Sequence, residues 1–122
     1  MSRNFPAINS LATSLRQLAL FSASRPSSAG EARLYLQRAL KAAAEERYDV
    51  AIVFCGKALD VEPGNLAARL LSGRLYDRAR NDIDRAVDAY RKVIVLAGYD
   101  ESNPYCAAAR QALDALVKDE TR

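Results

Sequence analysis

Residues 48–64 read YDVAIVFCGKALDVEPG, and residues 83–99 read IDRAVDAYRKVIVLAGY. Superposed at a constant offset of 35, the two runs align Ala51 with Ala86, Ile52 with Val87, Lys57 with Lys92 and Ala58 with Val93. Ala51–Phe54 and Val93–Leu96 would each suit a short buried strand alone. Both continue a longer pattern of helical period, and length decides for helix. Self-similarity at a period near 34, with two helices per unit, is the signature of a helical-hairpin repeat.

On either side of these runs, punctuation residues divide the chain into helices. Glu46, Arg47 and Tyr48 form a turn before the run 50–61, and Pro63-Gly64-Asn65 closes that run with Asn65 placed to cap the next helix, 66–79. Arg80, Asn81 and Asp82 separate that helix from 83–96. Residues 98–103 end it, and Asn103 with Pro104 opens a last helix over 105–117. Upstream, Ser28 and Glu31 stand in capping-box spacing, and Ala32, Leu36, Ala39, Leu40 and Ala43 follow with helical period. Residues 22–30, SASRPSSAG, read as a flexible linker. Before it, Pro6 suits a first helical turn, and Ile8, Leu11, Leu15 and Leu18 make one apolar stripe over 4–23. The expectation is six helices and no strand, arranged as an N-terminal amphipathic helix with linker, 1–30, and a helical domain, 31–122.

The net charge of +3 has a single source. No acidic residue precedes Glu31, and Arg3, Arg16 and Arg25 account for the whole excess, so the remaining chain is balanced. The densest basic stretch, Arg74–Arg85, is interrupted by Asp77, Asp82 and Asp84, which reads as a salt-bridged helix face and excludes a nucleic-acid patch. Cys55 and Cys106 have no CxxC spacing and no histidine to share a metal with, so they read as free buried thiols, with no metal and no cofactor. The absence of histidine also removes the commonest general base, and no glycine-rich turn offers an oxyanion or phosphate cradle, so the expectation is that the chain is not an enzyme. Asp82, Asp84 and Asp88 lack the glycine and terminal glutamate of a calcium loop and suit a helix start. No apolar run approaches membrane-spanning length, because Arg16 and Gln17 interrupt the best candidate.

At these residues the chain resembles the tetratricopeptide repeat family. The stretch Arg47–Asn65 is similar to the second helix and closing turn of a repeat, with Tyr48 at the turn, small Ala51, larger Cys55, small Ala58 and Pro63 after the helix. In the next unit Gly73 and Tyr76 occupy the family's glycine and tyrosine positions, followed by Ala86, Tyr90 and Val93. The resemblance covers residues 32–98, with the 105–117 helix in the place of a capping helix. Arg38 and Ala39 depart from the leucine and glycine of the first helix, Gly98 replaces a closing proline, and an extra residue lies near Asn81. The resemblance implies an all-α fold of antiparallel hairpins stacked as a short right-handed superhelix, with a concave groove lined by first helices.

What the family implies for function is protein–protein interaction, as an adaptor or scaffold. By the repeat alignment the groove takes Arg33, Leu36, Leu40 and Ala43 from the first unit and Ala67, Leu70, Arg74 and Asp77 from the second. It does not match the basic clamp by which some members grip the C-terminal carboxylate of cytosolic heat-shock chaperones, since Leu36, Leu40 and Leu71 occupy the equivalent places. The expected partner is another protein or peptide docked by an apolar anchor. An alternative is a self-associating structural subunit, a homo-oligomer in which one copy's amphipathic helix docks on another's open face. The expected compartment is the cytoplasm. Residues 1–23, rich in Ser and Arg and free of acids, also fit an organelle transit peptide, mitochondrial or other, whereas their apolar stripe fits docking against Leu36 and Leu40 of the first hairpin.

Overall fold

Three helices begin beside a side chain that accepts from their first amides, and two end in a left-handed turn. The computed structural model describes residues 28–120. They form α1 (Ser28–Ala44), α2 (Tyr48–Val61), α3 (Leu66–Arg74), α4 (Ile83–Leu96) and α5 (Pro104–Glu120), and α3 runs on into a π-helical turn, Leu75–Ala79. No strand occurs among the described residues, so the fold is all-α. The helix and transit segment read over 4–23 lie outside the described residues. The linker reading needs correction at its end: Ser28, Ala29 and Gly30 are the first turn of α1 rather than linker. A first turn demands no intrahelical partner for its amide N–H groups, so small and polar residues are accommodated there.

Asn65 caps α3, its Oδ1 accepting from the Ala68 amide at 2.9 Å while its Nδ2 donates to Glu62 at 2.8 Å. Asp82 caps α4 by accepting from the Arg85 amide at 3.2 Å, and Asn103 accepts from the amides of Tyr105 and Cys106 ahead of α5. At the C-terminal ends of α1 and α4 the chain turns left-handed. After α1 the Arg47 amide reaches back to the Ala42 carbonyl at 2.8 Å, with Glu46 at φ 62°; after α4 the Tyr99 amide reaches the Ile94 carbonyl at 3.0 Å, with Gly98 at φ 68°. Gly98, which departs from the family's closing proline, thus has a local reason: glycine takes this conformation without Cβ strain.

The extra residue near Asn81 is absorbed at the end of α3. The Arg80 amide bonds five residues back to Leu75, and the Asp82 amide bonds to the Tyr76 carbonyl at 2.8 Å, with Asn81 at φ 53°. A π turn takes up one more residue than an α turn over the same rise, which lets the hairpin register survive a 35-residue offset.

Consecutive helices pack along seams of small residues. Ala32, Ala39 and Ala42 of α1 and Ala51, Cys55 and Ala58 of α2 are all buried. In the next unit Leu70, Ala86, Tyr90, Val93 and Ile94 share one cluster with Cys106, Ala109 and Leu116 of α5. Ala51, Ala58 and Ala86 are fully buried, as the repeat alignment requires of positions where two helix backbones approach closely. Ala58→Leu and Ala86→Leu are each expected to overpack the seam and cost about 1–3 kcal/mol, measured by urea unfolding. An unchanged midpoint would show that the seam has room the packing denies.

Candidate protein-interaction surface

The eight residues assigned to the groove fall on two helical stripes, at 33, 36, 40 and 43 on α1 and at 67, 70 and 74 on α3 with 77 in the π turn that continues it. Both stripes follow the i, i+3, i+7 and i+10 spacing of one helix face. On α1, Arg33 is exposed, Leu36 and Ala43 are half-buried, and Leu40 remains 51% exposed. Leu36 packs against a cluster of Ala32, Ala58 and Ala68, and Ala43 against Ala39, Ala42 and Leu75, so the first unit's stripe is floored by the contact between α1, α2 and α3.

The α3 stripe divides. Ala67 is half-buried and Arg74 exposed, but Leu70 is 8% exposed and packed with Tyr90, Val93 and Cys106. Leu70 therefore serves the core, because α4 and α5 close over it. Asp77 is half-buried and accepts from the Tyr90 hydroxyl at 3.2 Å. Burial, followed by the nearby Asp77 carboxylate, pushes the Tyr90 phenol up to about 12.

Arg74 and Asp77 border different clefts. Arg74 joins Tyr48, Leu75, Arg78 and Ala79 around a cleft of about 300 Å³. Asp77 joins Asn81, Ile83, Leu116 and Asp119 around another of about 240 Å³. The π turn contributes to both, Leu75, Arg78 and Ala79 to the first and Asp77 to the second. Tyr48 and Arg78 did not emerge from the stripe pattern. Tyr48 comes from the start of α2, and Arg78 lies one position past Asp77 in the π turn.

The free cysteines offer no reactive site. Cys55 and Cys106 are both buried, and burial pushes the Cys55 thiol up to about 12. A thiol so raised is not a nucleophile near neutral pH. Among the described residues no group of three or more Cys, Asp or Glu stands close enough to hold a metal ion, and no helix is long and apolar enough to cross a membrane.

A family model described as tetratricopeptide repeat matches residues 42–94. No match was found among curated proteins or among solved structures. The matched segment starts in the last turn of α1 and takes in α2, α3 and most of α4, so it contains the first run of the self-comparison, most of the second, and the seam positions Ala51, Ala58 and Ala86. Such repeats are, in general, protein–protein interaction modules. The helical pairing, the seam of small residues and the family match agree: residues 42–94 match the tetratricopeptide-repeat model and lie within an all-α, tetratricopeptide-like fold.

Proposed function

We propose that this chain is an adaptor whose α1 and α3 faces bind a peptide or helix carrying an apolar anchor followed by an acidic residue. The observation that carries this reading is Leu40, which stays half exposed on the stripe where Leu36 and Ala43 are partly covered. A large apolar side chain held on a floored stripe is what a partner's anchor residue covers. Arg74 and Arg78 stand together at the cleft beside Tyr48, and no acidic side chain lines it, which favours a carboxylate at that end. The reading involves no covalent step, consistent with a histidine-free chain and a Cys55 held as the thiol. Two buried free cysteines fit a reducing compartment such as the cytoplasm.

A peptide-display selection on the full chain tests this. Enriched peptides are expected to carry an apolar residue near an Asp or Glu and to bind in the micromolar range, as suits an interface of two short helices. Leu40→Asp, and Arg74→Glu combined with Arg78→Glu, should each weaken binding by about tenfold or more while leaving the melting temperature within a few degrees, since all three side chains are exposed. Peptides that bind these variants as well as the natural chain would overturn the reading.

A further inference from the structure

The two ends of the helical array carry opposite charge over apolar floors. At the α1–α2 end, a cleft of about 410 Å³ is floored by Ala42, Val50 and Phe54 and edged by Arg38, Lys41 and Arg47, with Glu45 as its one acid. Arg38 also lies over the Phe54 ring, and Lys57 over Tyr35. At the other end, a cleft of about 450 Å³ opens between α4 and α5. Its floor is Ile83, Val87, Leu113, Leu116 and Val117, and Asp84, Asp88 and Arg91 edge it. Ile83 and Leu116 continue into the adjoining cleft, where Asp77 and Asp119 stand. The joined surface thus presents four carboxylates against one guanidinium, with Asp88 ion-paired to Lys92 at 3.1 Å.

We propose that this acid-edged cleft between α4 and α5 is the docking site for residues 4–23 of the chain itself. The 27 residues before Ser28 lie outside the described residues, and their sequence has the complementary chemistry. Ile8, Leu11, Leu15 and Leu18 supply apolar side chains at three- and four-residue spacing, Arg3 and Arg16 supply cations, and no acid precedes Glu31. The sign of the charge selects the end. The same segment brought to the α1–α2 cleft would set its arginines beside Arg38, Lys41 and Arg47, and like charges at close range disfavour a complex strongly. At the α4–α5 cleft the apolar floor accepts the stripe while Asp84, Asp88 and Asp119 face cations. The site is separate from Leu40, Arg74 and Arg78, so the two readings stand or fall independently.

The test uses the full chain with a benzophenone amino acid at Val117, which lines the cleft and is exposed. After irradiation, adducts mapped by mass spectrometry should concentrate in residues 4–23, within one chain or between two copies. Asp84→Lys with Asp88→Lys should lower the adduct by about tenfold, as should Arg16→Glu, and raising salt from about 0.05 to 0.5 M should lower it too. Circular dichroism checks that the helices persist. Should the cleft variants lose helix, Leu11→Asp with Leu15→Asp carries the same test from the segment's side. Adducts on residues 28–120 of a second copy, adducts without a preferred position, or an adduct indifferent to charge reversal would overturn the proposal.

Discussion

Tyr90→Ala is expected to lower stability by about 3–5 kcal/mol, the cost of emptying a buried aromatic site. The ring is 1% exposed and belongs to the cluster that joins α3, α4 and α5 through Leu70, Val93, Cys106 and Leu116. The loss also strips Asp77 of its hydroxyl donor at 3.2 Å. Gly73 is the other half of this contact. A Cβ on Gly73 would come within 2.7 Å of Tyr90 Cε1 and 2.8 Å of Cδ1, and that ring cannot swing into solvent. Gly73→Ala should therefore cost about 1–3 kcal/mol although alanine is the better helix former. Gly56, inside α2 with nothing within 4 Å of its Cβ position, gives the opposite sign: Gly56→Ala should gain about 0.5–1 kcal/mol. Thermal melts decide the matter, since about 1 kcal/mol moves the midpoint of a domain this size by roughly 4–8 °C. Equal responses at the two glycines would mean that the ring does not lie where the packing puts it.

The second large effect is alkaline. Burial raises the Cys55 thiol from an ordinary 9.0 to about 12, and burial with the neighbouring Asp77 carboxylate raises Tyr90 from 10.0 to about 12. Both groups hold their protons more tightly folded than unfolded, so between these values the native state binds more protons. Their stabilisation is complete below pH 9 and is lost as pH rises towards 12. Each such group lowers stability by about 1.4 kcal/mol per pH unit, so Cys55 alone accounts for on the order of 4 kcal/mol across its window. Denaturant unfolding at pH 8, 9.5 and 10.5 should show stability falling with rising slope, and Cys55→Ala should flatten the segment between pH 9 and 10. A curve level to pH 10.5 would contradict the burial of both groups.

Three helix starts were legible because each rests on a residue with a local job. Asn65, Asp82 and Asn103 accept from the next helix's first amides in the structure as their positions in the sequence suggested. The seam positions Ala51, Ala58 and Ala86 were legible because a repeat compares a chain with itself. The candidate surface was less so. Leu70 holds the stripe position that Leu36 holds on α1, yet α4 and α5 close over it, and that closure is tertiary information no helical wheel contains. The parting of Arg74 from Asp77 depends on Tyr48, Ile83 and Leu116, which come from three other helices. Glu46 in a left-handed conformation was hidden for another reason, since that position usually takes glycine.

Among the described residues packing runs mainly from each helix to the next, with α3 also reaching α5. Buried contacts that join near neighbours in sequence demand little loop closure before they form. Such an array can order from either end, each hairpin templating its successor, and can lose an end without losing the rest. The cluster spanning α3, α4 and α5 contains the large buried ring, whereas the clusters under α1 and α2 are built chiefly from alanines. The physical consequence is a directional protein: amide hydrogen exchange should run fastest in α1 and slowest in α4, so that opening starts at the α1 end while the α4–α5 end still holds its shape.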